Sequence, residues 1–210
     1  DDRSAIVHTY ADFAGADPAS RTALDTPEDA PVALALARLH EKKGLDTLLD
    51  ATAKIDGLYV WIAGDGPLEA ELKAHCTRLG LDDRVRFLGW RNDRGALLAA
   101  CDVVAFPSRY EPFGTVTVDA WAASRPLVAA DAAGPAAYVK DGVNGLLIPK
   151  NDVDALADAL RKVVTDKALA AQLVAGGRAS YEAQFTKAAF QRDSLALYEK
   201  IVAHAGPFEG

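Results

Sequence analysis

The stretch Cys101-Asp-Val-Val-Ala-Phe-Pro-Ser-Arg-Tyr-Glu-Pro-Phe-Gly-Thr-Val-Thr-Val-Asp119 decides the fold. Its opening run, Cys101 to Phe106, is short and apolar, which predicts a buried strand closed by Pro107. Downstream, Val116, Ala120, Ala123 and Leu127 recur at helical spacing. The stretch therefore predicts a strand, a glycine-containing loop and a helix N-terminus, whose free N–H groups and dipole favour an anion. Glu111 in the loop and Asp119 on the helix lie a little over two turns apart, so both carboxylates can flank that site. Carboxylates fixed beside an anion site suit a ligand with hydroxyl donors as well as phosphate, such as a nucleotide sugar. Taken singly, Glu111 is better explained as a helix-dipole carboxylate and Asp119 as a solvated helical position. The Pro-Phe-Gly between them serves no evident core purpose, and this keeps the functional reading open.

The same alternation continues on both sides. Upstream, the apolar run Val32-Ala-Leu-Ala-Leu36 suits a parallel strand covered on both faces. Helical periodicity follows over 45–55, then the strand Leu58-Tyr-Val-Trp-Ile-Ala63, a helix over 68–79 opened by Pro67, the strand Val85-Arg-Phe-Leu88 and a short helix near 96–100. Downstream of a helix over 115–124 come Leu127-Val-Ala129, a short helix near 136–140 and Gly145-Leu-Leu-Ile148. From Asp152 onward the pattern is helical, over 153–165, 167–182 and 187–203. About six strands with helices between them predict an α/β fold, a Rossmann-like doubly wound parallel sheet with C-terminal helices. Such sheets bind ligands at the carboxyl ends of their strands. The first 30 residues, with Gly15, Pro18 and Pro27, show no sustained period and read as a linker or as a lead-in strand centred on Ala5-Ile-Val-His8.

Composition narrows the function classes. Of 210 residues half are apolar and a quarter charged, enough for one sizeable core, so one domain is the expectation. The net charge of −7 offers no general basic surface, which argues against nucleic acid as partner. Cys76 and Cys101 form no CxxC or Cys/His cluster, which predicts a reducing compartment and no zinc site. No apolar run approaches the ~18 to 20 residues that cross a bilayer, and Asp-Asp-Arg-Ser at the start is no signal peptide; a cytoplasmic location is expected. The sequence contains no methionine, so it does not begin at its own translation start and is expected to be a fragment.

Further candidates lie just after the predicted strands. Arg38 follows the first, and Lys43-Gly44 opens the next helix; the two cations can converge on a phosphate, although a solvated strand-to-helix loop explains them as well. Gly64-Asp-Gly-Pro67 permits close backbone approach to a phosphate, or is simply a tight turn starting a helix. Phe87-Leu-Gly-Trp90 offers backbone groups and an aromatic wall to a base, or buried packing of Phe87 and Trp90. His8, His40, His75 and His204 have no carboxylate at motif spacing and read as structural. Ser108, Ser124 and Cys101 lack a nucleophile signature. The absence of G-x-G-x-x-G and of Gly-Lys-Ser argues against dinucleotides and nucleoside-triphosphate hydrolysis.

With these elements in order, residues 32–198 resemble the C-terminal half of the retaining family-four glycosyltransferases, of GT-B architecture. Arg38-x4-Lys43-Gly44, Ala63-Gly-Asp-Gly-Pro67, Arg86-Phe-Leu-Gly89, Ser108-x-x-Glu111-Pro-Phe-Gly114 and Gly142-x-Asn-Gly145-Leu-Leu carry the likeness. The resemblance implies that Arg38 and Lys43 hold the donor diphosphate, that Glu111 contacts the sugar hydroxyls, and that these three form the catalytic set. It places Gly64, Gly66, Phe87, Leu88, Ser108, Pro112, Phe113, Gly114 and Thr115 around the donor, the 87–88 region near the base, and Asp119 on the ribose. Ala37 and Asp119 stand where the family usually has glycine and glutamate. The implied activity is transfer of a sugar from a nucleoside-diphosphate sugar, UDP- or GDP-linked, with retention of configuration and with neither metal nor other cofactor. Polysaccharide, lipopolysaccharide or glycolipid synthesis is the implied setting.

The resemblance further divides the chain into a lead-in or interdomain segment (1–30), a nucleotide-sugar-binding domain (31–185) and a C-terminal helix (186–210) that crosses to a missing N-terminal acceptor domain. For the full-length protein it leaves peripheral association with the cytoplasmic face of the inner membrane open. A nucleotide-sugar epimerase of the same architecture and a non-catalytic nucleotide-sugar-binding module are the alternatives.

Overall fold

In the computed structural model, residues 7–13 and 16–205 are described. Six strands form one sheet, β1 (Val32–Leu36), β2 (Tyr59–Ala63), β3 (Val85–Gly89), β4 (Val103–Phe106), β5 (Leu127–Ala130) and β6 (Leu146–Ile148). The strand order is β3-β2-β1-β4-β5-β6, and every pairing is parallel. The helices that connect and follow them are α1 (Leu45–Thr52), α2 (Glu69–Arg78), α3 (Arg94–Ala100), α4 (Thr115–Ala122), α5 (Ala133–Tyr138), α6 (Val153–Thr165), α7 (Lys167–Gln184) and α8 (Lys187–Ala205).

Why the strands are apolar runs follows from the layers. Ala33 and Ala35 of β1 enter one core with Leu48, Leu49, Leu72, Leu156 and Leu160 of α1, α2 and α6. Val32 and Leu34 point the other way, into a core with Leu97, Val118, Trp121 and Tyr181 of α3, α4 and α7. The order reverses between β1 and β4, and at such a switch point the two outgoing loops part to leave a crevice.

Two local expectations shift. The short helix expected near 136–140 lies at Ala133–Tyr138. The Asn144 side chain accepts from the Lys140 amide at 2.7 Å and donates to the Tyr138 carbonyl at 3.2 Å, which draws these groups out of the helix. Pro135, in the first turn, is where proline is tolerated. The lead-in region forms no strand at Val7 and His8, while Ala5, Ile6 and Gly15 lie outside the described residues. Residues 16–30 are instead fastened to the sheet. Arg21 donates to the Ala100 carbonyl at 2.8 Å and the Ala30 carbonyl at 2.7 Å, and pairs with Asp102 at 3.0 Å. Buried Thr26 accepts from Trp61 Nε1 at 2.9 Å.

Candidate active site

The loops leaving β1 and β4 build the crevice. After β1 the chain makes a 3-10 turn, Glu41–Lys43, whose His40 Nδ1 accepts from the Lys42 amide at 3.2 Å. Gly44 ends the turn at φ 64°, with its α-carbon so close to the β4 loop that a Cβ would fall 2.2 Å from the Pro107 carbonyl oxygen. The two loops are then bonded directly. The amides of Arg109 and Tyr110 both donate to the Lys42 carbonyl, at 2.8 and 3.2 Å. The Arg109 guanidinium reaches the Glu41 carbonyl and the Asp46 carboxylate, each at 2.6 Å, Thr47 Oγ1 at 3.1 Å, and Asn151 beyond β6. Burial alone would push the Asp46 carboxyl up; hydrogen bonding and charge from Arg109 outweigh it and hold it below its ordinary value.

That frame brings Lys43 and Glu111 together, Nζ to Oε2 at 2.6 Å, both partly shielded from solvent. The Glu111 carbonyl accepts from the Gly134 amide at 2.7 Å, and Phe113 meets Tyr138 edge-on at 5.4 Å, so α5 braces the loop from the far side. Gly114 takes φ 84° at the start of α4, and no side chain caps that helix. Its first amides face outward with the positive end of the dipole. Ser108 in the loop and Thr117 in α4 bury hydroxyls that have no hydrogen-bond partner among the described residues. Pro112 and Thr115 are exposed beside them.

Asp119, one turn into α4, is 4% exposed. Among the described residues its one charged neighbour within ion-pair reach is Arg94 of α3, at 3.7 Å, and burial pushes its carboxyl up to about 6 against the pull of that cation. A solvated helical face is therefore not what Asp119 occupies.

The remaining predicted residues stand further from this pair. Arg38 is exposed at the end of β1 and makes no hydrogen bond or ion pair among the described residues. Gly64 and Gly66 press against the β1 loop, where a Cβ would fall 2.0 Å from the Ala37 oxygen and 2.4 Å from the Leu39 oxygen. The Leu39 amide donates to the Asp65 carbonyl at 2.7 Å, so these glycines seat the Arg38 loop. Phe87 and Leu88 belong to β3, joined to the β2 loop where the Gly64 amide donates to the Gly89 carbonyl at 2.8 Å. Trp90 just beyond is 72% exposed rather than packed.

Arg94 and Arg109 carried no motif that a sequence reading could find; both act on partners distant in sequence. His75 has a carboxylate after all, Asp50 of α1, at 2.7 Å. Both cysteines are buried, and burial pushes Cys76 up to about 11 and Cys101 to about 12, which keeps them protonated and unreactive at neutral pH. Among the described residues no His/Cys/Asp/Glu group is arranged to hold a metal ion, and no helix is long and apolar enough to cross a membrane.

Comparison with known proteins agrees with this fold. The sequence profile of the glycosyl transferases group 1 family matches residues 17–180. Lipopolysaccharide core biosynthesis glycosyltransferase LpsE of Rhizobium meliloti (strain 1021) is 39% identical over 177 residues, 84% of this chain and 52% of the relative. HepE of Anabaena, solved in complex with UDP and glucose, superposes with a TM-score of 0.83 at 30% identity, covering 91% of this chain and 56% of that one. The C-terminal domain of LpcC, a glycosyl transferase group 1 family protein of Francisella tularensis, shares the fold at a TM-score of 0.72 and 21% identity, over 84% of this chain and 99% of that domain. The chain spans about half the length of the curated relatives it matches. A doubly wound sheet with its crevice at the β1/β4 switch point and a profile match over most of its length give one assignment: the chain belongs to the glycosyl transferases group 1 family.

Proposed function

We propose that this chain is the donor-binding, C-terminal half of a longer glycosyltransferase that takes its sugar from a nucleoside-diphosphate sugar and transfers it with retention of configuration. The observation that carries the reading is the Lys43–Glu111 pair at 2.6 Å, set beside the uncapped start of α4 in the switch-point crevice. A cation, a row of free amides and a carboxylate are what a diphosphate bearing a sugar needs. The diphosphate draws Lys43 away from Glu111, and the freed carboxylate accepts from the sugar hydroxyls. Arg38, exposed at the end of β1 and without an ion pair among the described residues, is the second cation.

In turnover Arg38, Lys43 and the amides of Gly114 and Thr115 neutralise the charge that grows on the departing diphosphate, so the reading needs no metal. The solved complex of HepE with UDP and glucose supports a uridine donor, and LpsE supports an acceptor in lipopolysaccharide core assembly. The acceptor site belongs to a preceding half, in keeping with the chain's half coverage of its relatives.

Lys43→Ala is expected to weaken nucleoside-diphosphate binding by about 100-fold, equivalent to about 3 kcal/mol, with little change in melting temperature. An unchanged affinity by calorimetry overturns the assignment of Lys43. Incubating the longer protein with UDP-, GDP- and ADP-sugars separates transfer from epimerisation and from binding alone.

A further inference from the structure

Asp119 is a buried carboxylate whose electrostatic surroundings are incomplete. Its side chain is 6% exposed, and Arg94 Nη1 at 3.7 Å from Oδ2 is too far for a hydrogen bond. No hydrogen bond to its side chain occurs among the described residues. A carboxylate held this way is costly unless something else donates to it. Its open side faces a small pocket lined by Thr9, Tyr10, Ala11, Arg94, Thr115 and Val118, so a ligand can reach carboxylate and guanidinium together.

Arg94 is itself held in place. Its guanidinium lies over the Phe13 ring, 5.2 Å from the centroid, and the next residue is Gly95, where a Cβ would meet Phe13 at 3.1 Å and Ala16 at 3.2 Å. The lead-in segment thus presses directly on the turn that carries Arg94, and the cation projects from there towards α4. The other charged or titratable groups on the segments packed near α4 include His8, Tyr10 and Asp12 of the lead-in segment and Arg178, Tyr181 and Glu182 of α7. Arg178 is engaged with Glu182 at 2.7 Å and with the Ala122 carbonyl, at the far end of α4. Strands β4 and β5 bring no charge.

We propose that Arg94 is a positioning residue of the donor site, which keeps the Asp119 carboxylate ionised and turned to the pocket so that the two together take up the ribose hydroxyls of the nucleotide. This rests on the donor-site reading above. Aspartate at 119 is short for the task, and Arg94 supplies from the neighbouring helix the charge and the donors that one carboxylate alone lacks. Since burial pushes Asp119 up to about 6 even with Arg94 present, removing the cation leaves the carboxyl protonated further into the neutral range.

The test is calorimetry on the 210-residue chain from pH 5 to pH 8. UDP, GDP and ADP are screened, and the one that binds is compared with its 2′- and 3′-deoxy counterparts. The affinity ratio of ribose to deoxyribose form cancels the titration of the phosphates and reads the hydroxyl contact alone. In the wild type that ratio is expected to be about tenfold at pH 7.5 and to fall as the pH drops through about 6. In Arg94→Ala the ratio shrinks, and its midpoint moves to higher pH; Arg94→Lys restores most of it. A ratio and midpoint unchanged in Arg94→Ala, or no discrimination by the wild type, overturns the role of Arg94 and leaves the donor-site reading standing. Failure of all three diphosphates to bind overturns both.

Discussion

At the scale of single residues the site is built from charges that satisfy one another until a ligand arrives. Lys43 and Glu111 are paired at 2.6 Å, so on the donor-site reading a diphosphate has to compete with Glu111 for the ammonium. Glu111→Gln removes that competitor. Bare UDP is therefore expected to bind the variant about threefold to tenfold more tightly, while the sugar moiety of a UDP-sugar adds less affinity than it does in the wild type. Calorimetry with both ligands checks this, and equal weakening of the two would contradict the exchange. Asp119 illustrates the cost of an unfinished site. Its carboxyl is raised from 3.8 to about 6, so the folded protein holds that proton more tightly than the unfolded chain. The stability it contributes is complete below the lower value and lost as the pH rises through about 6, a loss on the order of 3 kcal/mol by pH 7. Asp119→Asn is accordingly expected to melt higher than the wild type at pH 7 and nearly level with it at pH 4, while losing discrimination for ribose; equal shifts at both pH values would refute it. Of these residues Lys43, Glu111 and Asp119 were legible because each stands at a fixed step from a glycine turn at a strand end. Arg94 and Arg109 were not, since Arg94 serves Asp119 on another helix and Arg109 serves Asp46 at a separation of 63 residues. Nothing in a local pattern encodes such partners.

Among the elements, the strands were the easiest to read and the loops that carry function the hardest. Val32–Leu36, Val103–Phe106 and Leu127–Ala130 are apolar throughout because both faces of a parallel strand are covered. The position of α5, by contrast, depends on Asn144, a side chain beyond its end that no helical period reveals. Loop order is set by Arg109, which fastens the chain after β4 to the turn after β1, to the first turn of α1 and to the loop after β6. Loss of that guanidinium removes the side-chain ties of three loops at once, leaving the β1 and β4 loops joined by the Arg109 and Tyr110 amides. Arg109→Ala is expected to lower stability by about 2 kcal/mol, discounted for the half-exposed Asp46 partner, or roughly 4 to 8 °C in melting temperature. Nucleoside-diphosphate affinity should fall with it, because Lys43 and Glu111 lose their common frame. Arg109→Lys should recover little, as a single ammonium cannot span the partners of a planar fork. A melting temperature within a degree or so of wild type would show that the loops hold without it.

At the scale of the whole molecule, α8 presents a surface that its own fold does not explain. The sheet is covered on both faces, yet α8 exposes Leu195, Tyr198, Ile201 and Val202 at 54% or more each. Positions 195, 198, 201 and 202 follow helical spacing, so they form one apolar stripe rather than scattered exceptions. The lead-in residue Tyr10, 40% exposed, reaches the same helix through Phe190, 5.3 Å between ring centres. Lead-in segment and α8 thus meet on one side of the domain, where a preceding half of the protein would have to join it. That half is the occupant the donor-site reading requires, since the chain covers 52% of a relative such as LpsE. Replacing the stripe by Leu195→Gln, Tyr198→Gln and Ile201→Gln separates the two roles of the molecule. In the 210-residue chain the triple variant is expected to bind UDP with unchanged affinity and to self-associate less by sedimentation, because none of the three side chains lines the Asp119 pocket. In the longer protein the same changes are expected to lower sugar transfer by about tenfold or more, as an apolar contact of this size contributes well over 1.4 kcal/mol. Transfer at the wild-type rate in the longer variant would mean that the stripe does not join the two halves, whatever its effect on the isolated chain.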